Sequence, residues 1–216
     1  MSQSNDLFAT IAAGDDALLS ALLAQQPALV NTRSQAGVSP VLWAYYTGKT
    51  DLLPTLFAAN PLLDIYDAAA LGDQSRLLSL LNDEPALVHS YSQDGFTALH
   101  LVAFFSDNTA AISVLLDAGA QVDAISRNSQ KVTPLHSAIA GGHSAIARFL
   151  VECGANVNAR QERGFTPLMQ AAHSGDALLV GYLLQHGADP TLAGDNGQTA
   201  ADYAREAGHA EVASKL

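Results

Sequence analysis

The sequence predicts an all-α protein, a solenoid of about seven stacked helix–turn–helix units. Three observations carry this. The stretch from Lys131 to Arg160, KVTPLHSAIAGGHSAIARFLVECGANVNAR, reads as helix, Gly turn, second helix and Gly stop. The same pattern recurs along the chain at a spacing near 33 residues. Nearly half the side chains are apolar (49%) and only 14% are charged, so 216 residues can supply a sizeable core, and abundant Ala and Leu suit close helix packing.

Within the best unit, Thr133 is placed to cap the first helix and Pro134 takes its first position, where a missing N–H costs nothing. Leu135, Ala138 and Ile139 form an apolar stripe, and Gly141-Gly142 break the helix. Ser144 restarts it, with Ile146, Phe149, Leu150 and Val151 apolar, until Gly154 stops the second helix. One such unit cannot bury both stripes, so it needs neighbours of its own kind.

The neighbours align on their inter-helix glycines. Thr133, Thr166 and Thr199 are 33 apart, and Thr97 precedes Thr133 by 36. Counting nine back from Gly14, Gly48 and Gly72 gives Asn5, Ser39 and Leu63. A single domain over 1–216 follows, with repeats starting near 5, 39, 63, 97, 133, 166 and 199. The step from 39 to 63 is ten residues short of its neighbours, so after Asn60-Pro61 the chain enters the next helix at about Leu62. The fourth unit carries three extra residues, one near Asp107 to Ala110 and two between Ile125 and Lys131. The seventh ends at Leu216 with a short second helix.

Thr133-Pro134-Leu135-His136-Ser137-Ala138 follows a T-P-L-H-x-A core, and Thr166-Pro167-Leu168-Met169 and Thr97-Ala98-Leu99-His100 are close to it. Gly119-Ala120, Gly154-Ala155 and Gly187-Ala188-Asp189 close the second helices. In these features the chain resembles the ankyrin repeat. The resemblance implies helix pairs with short projecting hairpin loops, and a non-enzymatic scaffold that binds another protein through loop tips and concave face. His100 and His136 then serve structure, bonding near the helix start and the preceding hairpin. The short second repeat implies no hairpin between Asn60 and Asp67 and an open surface between repeats two and three. Repeats one and three depart from the pattern, ending in Pro-Ala-Leu-Val at Pro27 and Pro85. Small ankyrin proteins with such a shortened repeat look bacterial.

Composition narrows the alternatives. A net charge of −11 repels phosphate backbones and argues against nucleic acid. No stretch reaches membrane-spanning length without polar interruption, and the opening MSQSNDLFATIAAGDD has no secretory character, so a soluble, cytoplasmic monomer is expected. The lone Cys153 excludes an internal disulfide and, in the last turn of a helix, is expected to be a buried inert thiol. His143 takes the Gly-His turn place that the resemblance implies is structural, and His89, His173, His186 and His209 lack partners at ligand spacing, so no metal and no cofactor is expected. Gly48-Lys49-Thr50 lacks the first Gly of a phosphate loop, since Trp43 stands there, and Gly37-Val38-Ser39-Pro40-Val41 lacks the second Gly of a nucleophile elbow.

Aromatic and acidic residues concentrate in one half. Residues 1–108 hold ten of the fourteen aromatic side chains, and 11 acidic against 3 basic residues. Trp43, Tyr46, Phe96, Phe104 and Phe105 are the expected anchors for a partner, with Asp67, Asp94 and Asp107 as rim charge toward a basic surface. An inhibitor or immunity-type role toward a basic protein fits this pattern. The alternatives are an enzyme with an unrecognised carboxylate–His site and a self-assembling structural module. The competing account of the rings is that they fill gaps in the irregular repeats.

Overall fold

The computed structural model describes residues 3–216. Met1 and Ser2, at the head of the opening segment, lie outside the described residues. Among the described residues the α-helices form seven pairs. These are α1 (Gln3–Ala13) with α2 (Asp16–Gln25), α3 (Pro40–Tyr46) with α4 (Leu53–Ala58), and α5 (Ile65–Leu71) with α6 (Gln74–Asp83). The fourth and fifth pairs are α7 (Ala98–Phe105) with α8 (Thr109–Asp117) and α9 (Pro134–Ala140) with α10 (Ser144–Glu152). The last two are α11 (Pro167–His173) with α12 (Ala177–Gln185), and α13 (Ala200–Glu206) with the four-residue α14 (Ala210–Ala213). The first helices of successive pairs pack on one another from α1 to α13 and make one row of an all-α solenoid.

Side-chain caps start most of the first helices. Thr97 Oγ1 and Thr133 Oγ1 lie 2.8 and 2.9 Å from Nδ1 of His100 and His136, three residues on. Nδ1 also accepts the threonine N–H, which leaves Nε2–H to donate to Val132 O from His100 (3.0 Å) and to Phe165 O from His136 (3.2 Å). Both carbonyls lie in the turn that follows the repeat, not in the preceding one as expected. The imidazoles thus tie each repeat to its successor. In the third pair Asp64 is the cap, accepting from Tyr66 N and Asp67 N at 2.9 Å. Its neighbour Leu63 has no side-chain acceptor, so the helix begins one residue later than the glycine spacing alone would place it. Asp15, Asp73 and Asp176 cap second helices, which puts acidic side chains at the positive end of the helix dipole.

Leucines at equivalent places, among them Leu99, Leu115, Leu135 and Leu150, are at most 1% exposed, and each contributes about 1.5–3 kcal/mol by leaving water. The Pro-Ala-Leu-Val segments form single 3-10 turns, Pro27–Asn31 and Pro85–His89, that bury Val30 and Val88 in place of a Gly-Ala stop. In the fourth pair the extra residue lies in the link Ser106–Asn108, where extended Ser106 replaces the left-handed glycine found at Gly142.

The connections are tight turns, each closed across its base: Ser34 to Val38, Ser92 to Phe96, Ser126 to Val132, Gln161 to Phe165 and Gly194 to Gln198. Later turns are also tied to each other, with Arg127 N donating to Gly95 O and Glu162 N to Gln130 O. Between α4 and α5 no such turn forms, and residues 60–64 run directly into the helix. The gap this leaves is narrowed to a small notch, in place of the expected open surface. The turn before α3 meets the turn before α7 directly, so closely that a Cβ on Gly37 would collide with the Gln93 side chain. Once the intervening turn is missing, long side chains reach across.

Cys153 also differs from expectation. It is the C-cap of α10 and is exposed, because the helix ends there and turns its last residue outward. No helix among the described residues is long and apolar enough to cross a membrane.

Candidate functional site: an aromatic groove on the first-helix row

Helix α5 presents Ala68, Ala69 and Ala70 between its larger neighbours, each at most 1% exposed. Over so small a helix, rings from α3 and α7 can meet. Tyr45 and Phe105 have centroids 5.2 Å apart, Tyr46 and Phe105 5.7 Å, and Phe104 stands edge-on to Phe105 at 4.7 Å. These four rings and Phe96 enclose a cavity of about 310 Å³ that reaches Leu101, His100, Ser137 and Gln130. Buried His100, Leu101 and Ser137 form its floor, and exposed Gln130 its edge. Phe104 is the most open of the rings, at 38% exposure.

Tyr46 Oη donates to Asp94 Oδ2 at 2.5 Å, and Ser92 Oγ donates to the other carboxylate oxygen. Burial raises the Tyr46 phenol pKa, and the adjacent Asp94 raises it further, so Tyr46 stays a neutral donor. His100 has its pKa lowered to about 4 by burial, and its two ring nitrogens are taken by Thr97 and Val132. The floor imidazole is therefore a fixed neutral brace and not a free base. The cavity offers apolar ring faces with a few hydroxyl and amide handles, a surface for contact more than for proton transfer. Among the described residues no three His, Cys, Asp or Glu side chains stand close enough to hold a metal.

Of the expected anchors, Tyr46, Phe96, Phe104 and Phe105 converge here, with Asp94 beside them. Trp43 does not join them. Its ring is edge-on to Phe8 at 5.7 Å and its Nε1 donates to Phe8 O, which anchors α3 on α1. Asp67 is no rim charge either: it is 1% exposed, accepts from Ser39 Oγ, and caps the backbone N–H of Asp64. Burial, then the Asp64 charge, lifts its pKa to about 6. Asp107 lies past the end of α7, exposed, 2.5 Å from His143 Nδ1. Tyr45, Leu101, Gln130 and Ser137 complete the cavity without having been singled out. Ser137 occupies the variable place of the T-P-L-H-x-A core, as does Leu101 one repeat earlier, and that shared position was the available signal.

Family models for ankyrin repeats match residues 65–161 (three copies) and 150–204 (many copies), together running from α5 to α13. Among curated proteins, the chain is 40% identical over 95 residues to the probable E3 ubiquitin-protein ligase XBOS31 of Oryza sativa subsp. japonica. That match covers 44% of this chain and 21% of the ligase. It is 38% identical over 73 residues to the E3 ubiquitin-protein ligase KEG of Arabidopsis thaliana, covering 34% of this chain and 4% of that protein. A third relative is the Arf-GAP with coiled-coil, ANK repeat and PH domain-containing protein 2 of Gallus gallus, 39% identical over 67 residues, 31% of this chain and 9% of that protein. The chain thus spans at most about a fifth of the length of these relatives.

Proposed function

From the premise that the chain is an ankyrin-repeat protein, whose repeats form a protein–protein interaction module, we propose that it is a non-enzymatic scaffold binding one protein partner through the aromatic groove. The observation that carries this is the cluster of Tyr45, Phe96, Phe104 and Phe105 around an open cavity. Grouped aromatic side chains left partly in water around a cavity are characteristic of binding centres. In this reading the repeats starting near 5, 39, 63, 97, 133, 166 and 199 act as one domain, and the later repeats brace the groove. Trp43 and Asp67 support it from within, while Asp94 and Asp107 lie at its margins.

The partner carries a basic surface, in keeping with the charge of residues 1–108, and an inhibitor or immunity-type role is the sharpest form of the idea. A monomeric, cytoplasmic and bacterial setting, without nucleic acid or membrane, belongs to the same reading. The relatives reported above are plant and animal proteins and do not bear on that origin.

The test is photocrosslinking in a cell extract with p-benzoylphenylalanine in place of Phe104. The control carries the same group in place of Leu178, which is 75% exposed on α12. A discrete protein adduct from position 104 and none from 178 is the expected result. No adduct from 104, or the same adducts from both, counts against the groove.

A further inference from the structure

Resting on that reading, we infer that the groove recognises a peptide segment pairing a basic side chain, held by Asp94, with a bulky apolar one in the ring cavity. Two cavities flank the Tyr46–Asp94 hydrogen bond. On the Tyr46 side is the aromatic cavity already described. On the Asp94 side is a notch of about 120 Å³ where the turns before α3 and α7 meet, bounded by Gly37, Asp64, Tyr66, Tyr91 and Asp94. It lies where the missing turn between α4 and α5 leaves room.

Arg127 stacks on the Tyr91 ring at one wall of this notch, 3.9 Å from its centroid, and among the described residues Asp94 is left as its unpaired charge. Asp64 is matched by Arg33 at 2.9 Å, but among the described residues no basic side chain lies within ion-pair distance of Asp94. The Asp94 carboxylate accepts from two hydroxyls, Tyr46 and Ser92, and an ionised carboxylate has further lone pairs to offer. Those hydroxyls fix its position, which lowers the cost of engaging a cation. A guanidinium or ammonium group brought there gains a charge-assisted hydrogen bond in a half-buried site. The other basic residues of the half are occupied elsewhere: Arg76 donates to Leu63 O, and Lys49 lies against Gly14. The rings on the far side of Tyr46 carry no charge, so the neighbouring position on the segment is apolar. A chain of net charge −11 also speeds the approach of a basic segment.

The experiment uses the full chain on an array of immobilised short Gly/Ser peptides. One set carries Leu and Arg at every short spacing, a second Leu and Glu, a third Ala and Arg. The Leu/Arg set is expected to be retained about tenfold better than either other set, with retention falling as ionic strength rises. Asp94→Asn keeps an oxygen for Tyr46 and so preserves the bridge; it should bring Arg and Glu to within about twofold. Tyr46→Phe keeps the ring and frees Asp94, and should keep the Arg preference. Equal retention of the Leu/Glu set, no retention of any set, salt-independent retention, or an unchanged Arg preference in folded Asp94→Asn overturns the inference. Any of these beside a specific crosslink from position 104 leaves the groove reading standing and removes only the basic-apolar partner.

Discussion

Tyr46 at the end of α3 donates its phenolic hydrogen to Asp94 in the turn before α7, 48 residues away, passing beside α5. The bond exists because repeat two has no exit turn, so α3 meets the exit turn of repeat three beside α5. It latches the junction where the solenoid departs most from its period. Removing the hydroxyl alone, by Tyr46→Phe, should cost on the order of 1 kcal/mol in urea unfolding, with circular dichroism unchanged. An unchanged midpoint would mean that the latch adds nothing to the junction.

The two buried imidazoles predict how stability depends on pH. His100 and His136 are held down to about 4 by burial, against 6.5 for a free imidazole. As pH falls below 6.5 the unfolded chain takes up protons before the folded one, so stability is lost down to about 4 and changes little below. Asp67 acts in the opposite sense. Its carboxyl is lifted to about 6 from 3.8, so its folded form protonates first and gains stability over that window. Two imidazoles outweigh one carboxyl, and the urea midpoint should fall on acidification from neutral pH toward about 4.5, more steeply in Asp67→Asn. A flat or rising profile would contradict the burial of these histidines.

His136→Ala should cost on the order of 1 kcal/mol through loss of its bond to Phe165 O, with the same partner still captured. Loss of binding in a folded variant would show that the imidazole does more than join repeats five and six.

Gly95 and Gly142 separate crowding from backbone strain. Both are left-handed, with φ of 88° and 77°. Nothing lies within 4 Å of a Cβ added at Gly142, whereas at Gly95 it would stand 2.7 Å from Asn128 N. Gly142→Ala should therefore cost about 1 kcal/mol, and Gly95→Ala roughly two to three times that, because the backbone tie between successive turns must move. Equal costs in urea unfolding would remove crowding as the cause.

Much of this was legible in the sequence because the repeats are set by neighbours in the chain. Thr133, Pro134 and His136 interact within one helical turn, so their spacing announces the cap. Glycine spacing places the breaks for the same reason. What escaped depends on contacts between repeats. Asp67 reads as a surface acid until Ser39 of the previous repeat is brought against it. Trp43 and Tyr45, two residues apart, lie on opposite sides of α3 by helix geometry, but only the packing of α1 and α7 decides that one side meets Phe8 and the other Phe105. Cys153 follows the apolar stripe in sequence, but helix termination turns it to water. Tyr46 and Phe105 are half-buried across α5, and Phe104 remains open, differences that the spacing of the rings in sequence does not carry.

The proposed place of a protein partner is the ring cavity. The most direct test of this is the affinity of the partner crosslinked from position 104 for the wild-type chain and for the double variant Tyr45→Ala, Phe104→Ala, by titration calorimetry. Tyr46 is left in place so that the latch to Asp94 survives. Binding is expected to be at least about tenfold weaker, and up to about a hundredfold, with an unchanged circular dichroism spectrum. Undiminished affinity in a folded double variant would contradict it.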